Sequence, residues 1–135
     1  MSMNRKYLKK IIVALDLPDE KKVKKIVTCL SPDITAFKVG LITYMACGPS
    51  ILRWLKKKKA RVFLDLKFYD IPNTMIEAAR LAVDHGVWGF TVHTKAGKEP
   101  LRKLKDAVYE YARKKKVSQP LIVGVTELTS NKVSL

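Results

Sequence analysis

Long apolar runs are missing from this sequence. No stretch approaches the ~20 apolar residues that a membrane span requires. The basic start, Met1 to Lys10, has neither the apolar segment nor the small-residue cleavage site of a secretory leader. A cytoplasmic protein is therefore expected. Cysteine is scarce too: Cys29 and Cys47 stand apart, with no C-x-x-C spacing and no histidine nearby. That argues for reduced thiols and against a metal or redox pair. Cys29 falls on the apolar face of an expected helix and reads as a core thiol. Acidic residues are few, 12 against 27 Lys and Arg, for a net charge of +15. Such a balance fits nucleic acid or another anionic ligand. Yet no aromatics interleave the lysines as a stacking platform. Lys21, Lys22, Lys24 and Lys25 lie on a helix, and the runs Lys56 to Lys59 and Lys114 to Lys116 close two others, where cations complement the dipole. A solvated basic surface is expected, with no nucleic-acid partner.

What is present is a regular alternation. With 135 residues, 47% of them apolar, the chain has room for one domain with a real core. Ile11 to Leu15 is a short apolar run ending in Asp16, the pattern of a strand buried on both sides. Asp19 is placed to cap a helix whose Val23, Ile26, Val27 and Leu30 recur at i, i+3, i+4, i+7. Ala36 to Gly40 reads as the second strand, and Ile51, Leu52 and Leu55 mark the helix after it. Arg61 to Lys67 is the third strand, Asn73 to His85 the third helix, closed by Gly86. Trp88 to His93, a helix carrying Leu101, Leu104, Val108, Tyr111 and Ala112, and Leu121 to Thr126 complete the series. Strands separated by single helices are parallel strands joined by crossovers.

Polar placement decides the architecture. Asp16, Lys38, Lys67, His93 and Thr126 read as the last inward residues of the five strands, with apolar residues such as Val13, Val39, Leu66, Val92 and Val125 turned outward. Polar ends converging from several strands build the active site of a barrel. No glycine-rich phosphate loop follows the first strand, as a dinucleotide-binding fold needs. The reading is α/β, of the (β/α)8 TIM-barrel type. A full barrel needs eight strands and roughly 250 residues. Five βα units make residues 1–135 the N-terminal portion of a single barrel domain, with two open edges.

The chain is organised around D-L-K-F-Y-D-I-P-N-T at 65–74. Asp65 and Lys67, two apart on a strand, share a face. Pro72 turns the chain and biases Ile71 toward extended backbone, leaving Asp70 on a loop. Alone, D-x-K is equally well a solvated ion pair at a strand end. The ten residues, however, resemble the signature of the orotidine 5′-phosphate decarboxylase family. A-L-D at 14–16, F-K-V-G at 37–40, T-V-H at 91–93 and V-T-E-L-T-S at 125–130 follow in the family's order. Sister decarboxylases and synthases acting on sugar phosphates share D-x-K-x-x-D but lack I-P-N-T.

The resemblance implies conversion of orotidine monophosphate to UMP and CO2, a step of pyrimidine biosynthesis, without metal or cofactor. It makes Asp16 a ribose-hydroxyl ligand and Lys38 a contact to the ribose and the acidic network. Asp65 is set against the substrate's carboxylate, and Lys67 is the proton donor, its ammonium form favoured by Asp65 and Asp70 beside it, so that Lys38, Asp65, Lys67 and Asp70 form an alternating catalytic row. Asp70, Ile71 and Thr74 belong to the substrate site, with Asp70 and Thr74 reaching into the partner of a homodimer. Thr129 meets the pyrimidine edge. His93 has no chemical role and is expected to hold neighbouring loops. The family's phosphate-gripping residues and mobile closing loop follow the last strands, beyond residue 135. The alternative is a non-catalytic barrel fragment completed by a partner chain.

Overall fold

A computed structural model describes residues 5–131. After a short helix α1 (Arg5–Leu8), strands β1 (Ile12–Ala14), β2 (Ala36–Gly40), β3 (Arg61–Phe68), β4 (Gly89–His93) and β5 (Leu121–Val125) form one parallel sheet in the order 1-2-3-4-5. A doubly wound sheet reverses its strand order at a switch point. This one does not reverse, which is the topology of a barrel wall. Helices α2 (Glu20–Leu30), α3 (Leu41–Cys47), α4 (Ser50–Lys57), α5 (Pro72–Asp84) and α6 (Lys98–Lys115) supply the connections, and a 3-10 turn spans Thr94–Ala96.

The core lies between the helices and one face of the sheet. Phe37, Val39, Leu64, Phe90 and Val92 point outward from the wall and are almost fully buried. They meet Val23 and Val27 of α2, Ile51, Leu52 and Leu55 of α4, Met75 and Ala79 of α5, and Leu104 and Val108 of α6. Each large aliphatic or aromatic side chain so buried contributes about 1.5–3 kcal/mol. The Asp19 carboxylate accepts the Lys22 N–H, capping α2 as its position suggests. Lys56 and Lys57, and Lys114 and Lys115, occupy the last turns of α4 and α6. Cys29, by contrast, is exposed. At 100° per residue it lies well to the side of the stripe through Val23, Ile26, Val27 and Leu30, so it never reaches the core.

Two further expectations need correction. The β2–β3 connection holds two helices, not one. Thr43 is the only buried residue of α3, while Leu41, Ile42 and Met45 are exposed, so the segment shows no apolar stripe. The facing of β5 is also reversed. Phe90 pairs with Ile122, Thr91 with Val123 and His93 with Val125. Ile122 therefore packs toward the helices, whereas Val123 and Val125 face inward and Thr126 does not.

Thr43 ties α3 to the β1–α2 loop. Its hydroxyl donates to the Leu15 carbonyl and accepts the Leu17 N–H at 3.1 Å, gripping the backbone on both sides of Asp16. Thr43→Val keeps the shape and leaves these buried groups unpaired. It should lower unfolding stability by about 1–3 kcal/mol, measured as a fall in the urea midpoint at unchanged m value. An unchanged midpoint would show that the grip contributes nothing.

Candidate active site

The C-terminal ends of β1, β2 and β3 bring four charged side chains into a row. Asp16 follows β1, Lys38 lies in β2, and Asp65 and Lys67 lie near the end of β3. Lys38 Nζ is 3.7 Å from Asp16 Oδ2 and 3.2 Å from Asp65 Oδ2, while Lys67 Nζ donates to Asp65 Oδ1 at 3.0 Å. Charge alternates along the row, so each inner member has opposite charge on both sides. The side chain of Asp65 is only 12% exposed, whereas those of Lys38 and Lys67 keep 28% and 40%. Screening by solvent thus weakens the lysines' outward field more than the contacts to Asp65.

Backbone geometry sets this arrangement. Leu64 pairs with Phe90 and Phe68 with Val92, so β3 advances four residues where β4 advances two. The surplus is taken up by a bulge, and Lys67 within it has φ +50°, a left-handed conformation uncommon outside glycine. Gly40, paired with Asp65, leaves room beside Asp16: a Cβ there would lie 2.8 Å from Asp16 Oδ1. Asp16 could not keep its present position against any larger residue.

Thr91, on β4, completes the centre. Its hydroxyl donates to Asp65 Oδ1 at 3.0 Å and accepts the Lys67 N–H at 2.8 Å. Sequence reasoning misses this residue, although it opens the T-V-H segment at 91–93. A threonine within a strand looks like any other β-branched residue, and only the bulge gives its hydroxyl two partners. Burial pushes the Asp65 carboxyl upward, but hydrogen bonds from Lys67, Thr91 and Lys38 outweigh it and hold the group below the usual carboxylate range.

The row opens into a cavity of about 530 Å³ on the inner face of the sheet. Lys38, Asp65 and Lys67 line one side, Phe63 and Val125 the wall beside them, and Thr129 the rim. Asp70, Ile71 and Thr74 are elsewhere. All three are exposed around the start of α5, and Asp70 Oδ1 accepts the Ile71 N–H at 2.7 Å. Among the described residues Asp70 makes no ion pair with Lys67, so within one chain the expected row Lys38–Asp65–Lys67–Asp70 loses its last member and gains Asp16 at its other end. His93 is buried; its Nδ1 accepts the Lys95 N–H at 3.3 Å and its ring lies 5.4 Å from that of Tyr69. That is the loop-holding part expected of it. No group of three or more His, Cys, Asp or Glu among the described residues is placed to hold a metal ion.

Strands in sequential order with converging charges at their C-terminal ends define the class: a barrel-type α/β protein, here five strands of the wall. Comparison with known proteins narrows it. Residues 9–134 match the orotidine 5′-phosphate decarboxylase / HUMPS family, and the chain belongs to that family. Over 121 residues it is 48% identical to the orotidine 5′-phosphate decarboxylase of Moorella thermoacetica and 45% identical to that of Nostoc sp.. These alignments cover 90% of this chain but 48% and 50% of the two relatives. The crystal structure of orotidine 5′-phosphate decarboxylase from Lactobacillus acidophilus superposes with a TM-score of 0.78 at 35% identity, covering 89% of this chain and 54% of that one. The chain therefore spans about half the length of the relatives it matches, and its fold is a partial TIM barrel.

Asp65's lowered carboxyl has a consequence for acid stability. A carboxylate depressed in the folded state stabilises it above the ordinary Asp value, about 3.9, and that contribution is lost as pH falls through the lower folded value. The stability advantage of wild type over Asp65→Asn should thus be full at pH 7 and shrink only below about pH 4. Urea unfolding of both proteins across that range measures it. A pH-independent difference would contradict the charge row.

Proposed function

We propose that this chain carries the catalytic half of an orotidine 5′-phosphate decarboxylase site, acting on orotidine monophosphate to give UMP and CO2. The observation that carries the proposal is the alternating row Asp16–Lys38–Asp65–Lys67 at the strand ends, built from the segments that the family shares. Breaking the bond from C6 of the pyrimidine to its carboxylate leaves an electron pair on C6 in an orbital outside the ring's π system. A fixed ammonium beside C6 stabilises that pair and then supplies the proton that replaces CO2. Lys67 has that role, with Asp65 and Lys38 holding it in place. Asp65 also faces the leaving carboxylate, and the repulsion is relieved as CO2 departs. Asp16 and Lys38 bind the ribose, and Thr129 on the cavity rim meets the pyrimidine edge.

Asp70, Ile71 and Thr74 fit the same reading if they serve a second copy of the chain. They are exposed at the C-terminal end of the wall, where Tyr69 and Ile71, at 60% and 67% exposure, present apolar surface. The α3 residues Leu41, Ile42 and Met45, at the end of the neighbouring strand, do likewise. A homodimer formed through this end would cover these side chains and carry Asp70 and Thr74 to the partner's row. Among the described residues no helix is long and apolar enough to cross a membrane, in keeping with action on a dissolved nucleotide.

A second reading follows from the sheet's edges. Ile12 on β1 and Leu121 and Val123 on β5 are 41–49% exposed, and edge strands present unpaired backbone groups. Three further βα units would pair both edges and cover the inner face. In this reading residues 1–135 are one portion of a barrel domain and act only when the remainder is supplied. Remote phosphate contacts from that remainder would lower the transition-state energy as well as improve binding.

Three measurements test the proposal. The decarboxylation rate should be low for the 135-residue chain alone and rise when the C-terminal half of the Moorella thermoacetica relative is added. In that reconstituted enzyme Lys67→Ala should lower turnover by roughly 10²- to 10⁴-fold while UMP still binds. Turnover within tenfold of wild type would remove Lys67 as proton donor. Mixed Asp70→Asn and Lys67→Ala subunits should recover part of the activity through heterodimers with one intact site. Demonstrated subunit exchange without recovery would return Asp70 to its own subunit.

A further inference from the structure

Where β3 carries its surplus residues, the backbone of Lys67 leaves the regular ladder. Its N–H needs another acceptor, because an unpaired amide in a partly buried bulge is costly. Thr91 Oγ1 is that acceptor, 2.8 Å away. The same hydroxyl turns its single proton to Asp65 Oδ1 at 3.0 Å. This is the oxygen that Lys67 Nζ also binds at 3.0 Å, and it leaves Oδ2 free for Lys38. One hydroxyl thus serves in both capacities, as acceptor from the bulge and as donor to the carboxylate.

We propose that Thr91 is the positioning residue of the site: it holds Lys67 in its left-handed conformation and fixes the rotation of the Asp65 carboxylate, so that the two side chains meet. Thr91 touches no reacting atom in this scheme and acts through its two neighbours. At 4% exposure it is buried, and packing alone would be served equally by valine, which has the same shape. Valine can neither accept the Lys67 N–H nor donate to Asp65. The left-handed backbone of Lys67 is strained for a non-glycine residue and persists only where surrounding contacts determine it. Thr91 supplies the one side-chain hydrogen bond that reaches that backbone among the described residues. Its catalytic significance rests on the decarboxylase reading; its structural part does not.

The test uses the full 135-residue chain, isotopically labelled, as wild type, Thr91→Val and Thr91→Ser. NMR follows the titration of the Asp65 carboxyl carbon and the hydrogen exchange of the Lys67 amide. Thr91→Val should move the Asp65 midpoint upward, toward the ordinary Asp value, and speed Lys67 exchange by roughly tenfold or more. Thr91→Ser, which keeps the hydroxyl, should restore both. In the reconstituted enzyme Thr91→Val should lower kcat more than it changes KM. A folded Thr91→Val with wild-type Asp65 titration and Lys67 exchange would overturn the assignment. Should the valine variant fail to fold, wild type and serine variant decide. A Lys67 amide exchanging as fast as a free peptide in wild type, or a serine variant with a displaced Asp65 midpoint, overturns it equally. Shifted titrations together with no decarboxylation by the wild-type reconstituted enzyme would leave the positioning role standing and remove the reaction.

Discussion

A single buried carboxylate governs the arrangement of this site. Asp65 has most of its surface removed from water, and an ionised carboxyl so placed is tolerated only when donors surround it. It has three: Lys38 on one oxygen, Lys67 and Thr91 on the other. These come from three adjacent strands, so the carboxylate fixes side chains on β2, β3 and β4 relative to one another. The β3 bulge follows from the same need. Its surplus residues take the Lys67 N–H off the regular ladder and leave it to Thr91, while the Lys67 side chain reaches the Asp65 oxygen two positions earlier. Cost and function coincide here, because the contacts that make Asp65 tolerable are also those that hold a cation at a defined point above the cavity.

Much of this was legible in the amino-acid order. A continuous apolar strand such as A-F-K-V-G, interrupted by one lysine, has few places to put that lysine except inward, and Lys38 is found there. Asp65 and Lys67 share a face because strand side chains alternate, and the bulge preserves that parity by adding two residues rather than one. Strand five failed for the complementary reason. In L-I-V-G-V every residue is apolar or lacks a side chain, so nothing in the pattern distinguishes its faces. Pairing of Phe90 with Ile122 decides it, and that information belongs to β4. Helix α3 escaped notice because it buries a threonine and exposes three apolar residues. Cys29 was misplaced by reading the apolar stripe of α2 too broadly.

Asp70 shows a different kind of limit. Sequence spacing puts it five residues after Asp65, and two carboxylates around one ammonium is the natural inference. The turn at Pro72 sends it outward instead, where it caps its own following amide. Under the proposed homodimer Asp70 would serve the partner's site, and the exposed Leu41, Ile42, Met45, Tyr69 and Ile71 would lie in the same contact.

The remaining asymmetry lies between the two faces of the sheet. The helix side is packed as a finished core, with Phe37 and Phe90 at zero exposure. The inner side is not: Val123 and Leu121 stay 41% and 49% exposed at the β5 edge. Core packing and the charge row therefore draw on different surfaces. The outer layer can support the wall, since β2, β3 and β4 bury their outward residues against the helices of this chain. The inner layer holds the charge row, but a low dielectric around that row requires opposing strands that exclude water. Lys67, still 40% exposed, sits on the side that such strands would close. Covering it would strengthen every contact in the row without changing a single residue of this chain, so the row is weaker in the open wall than it would be in a closed barrel.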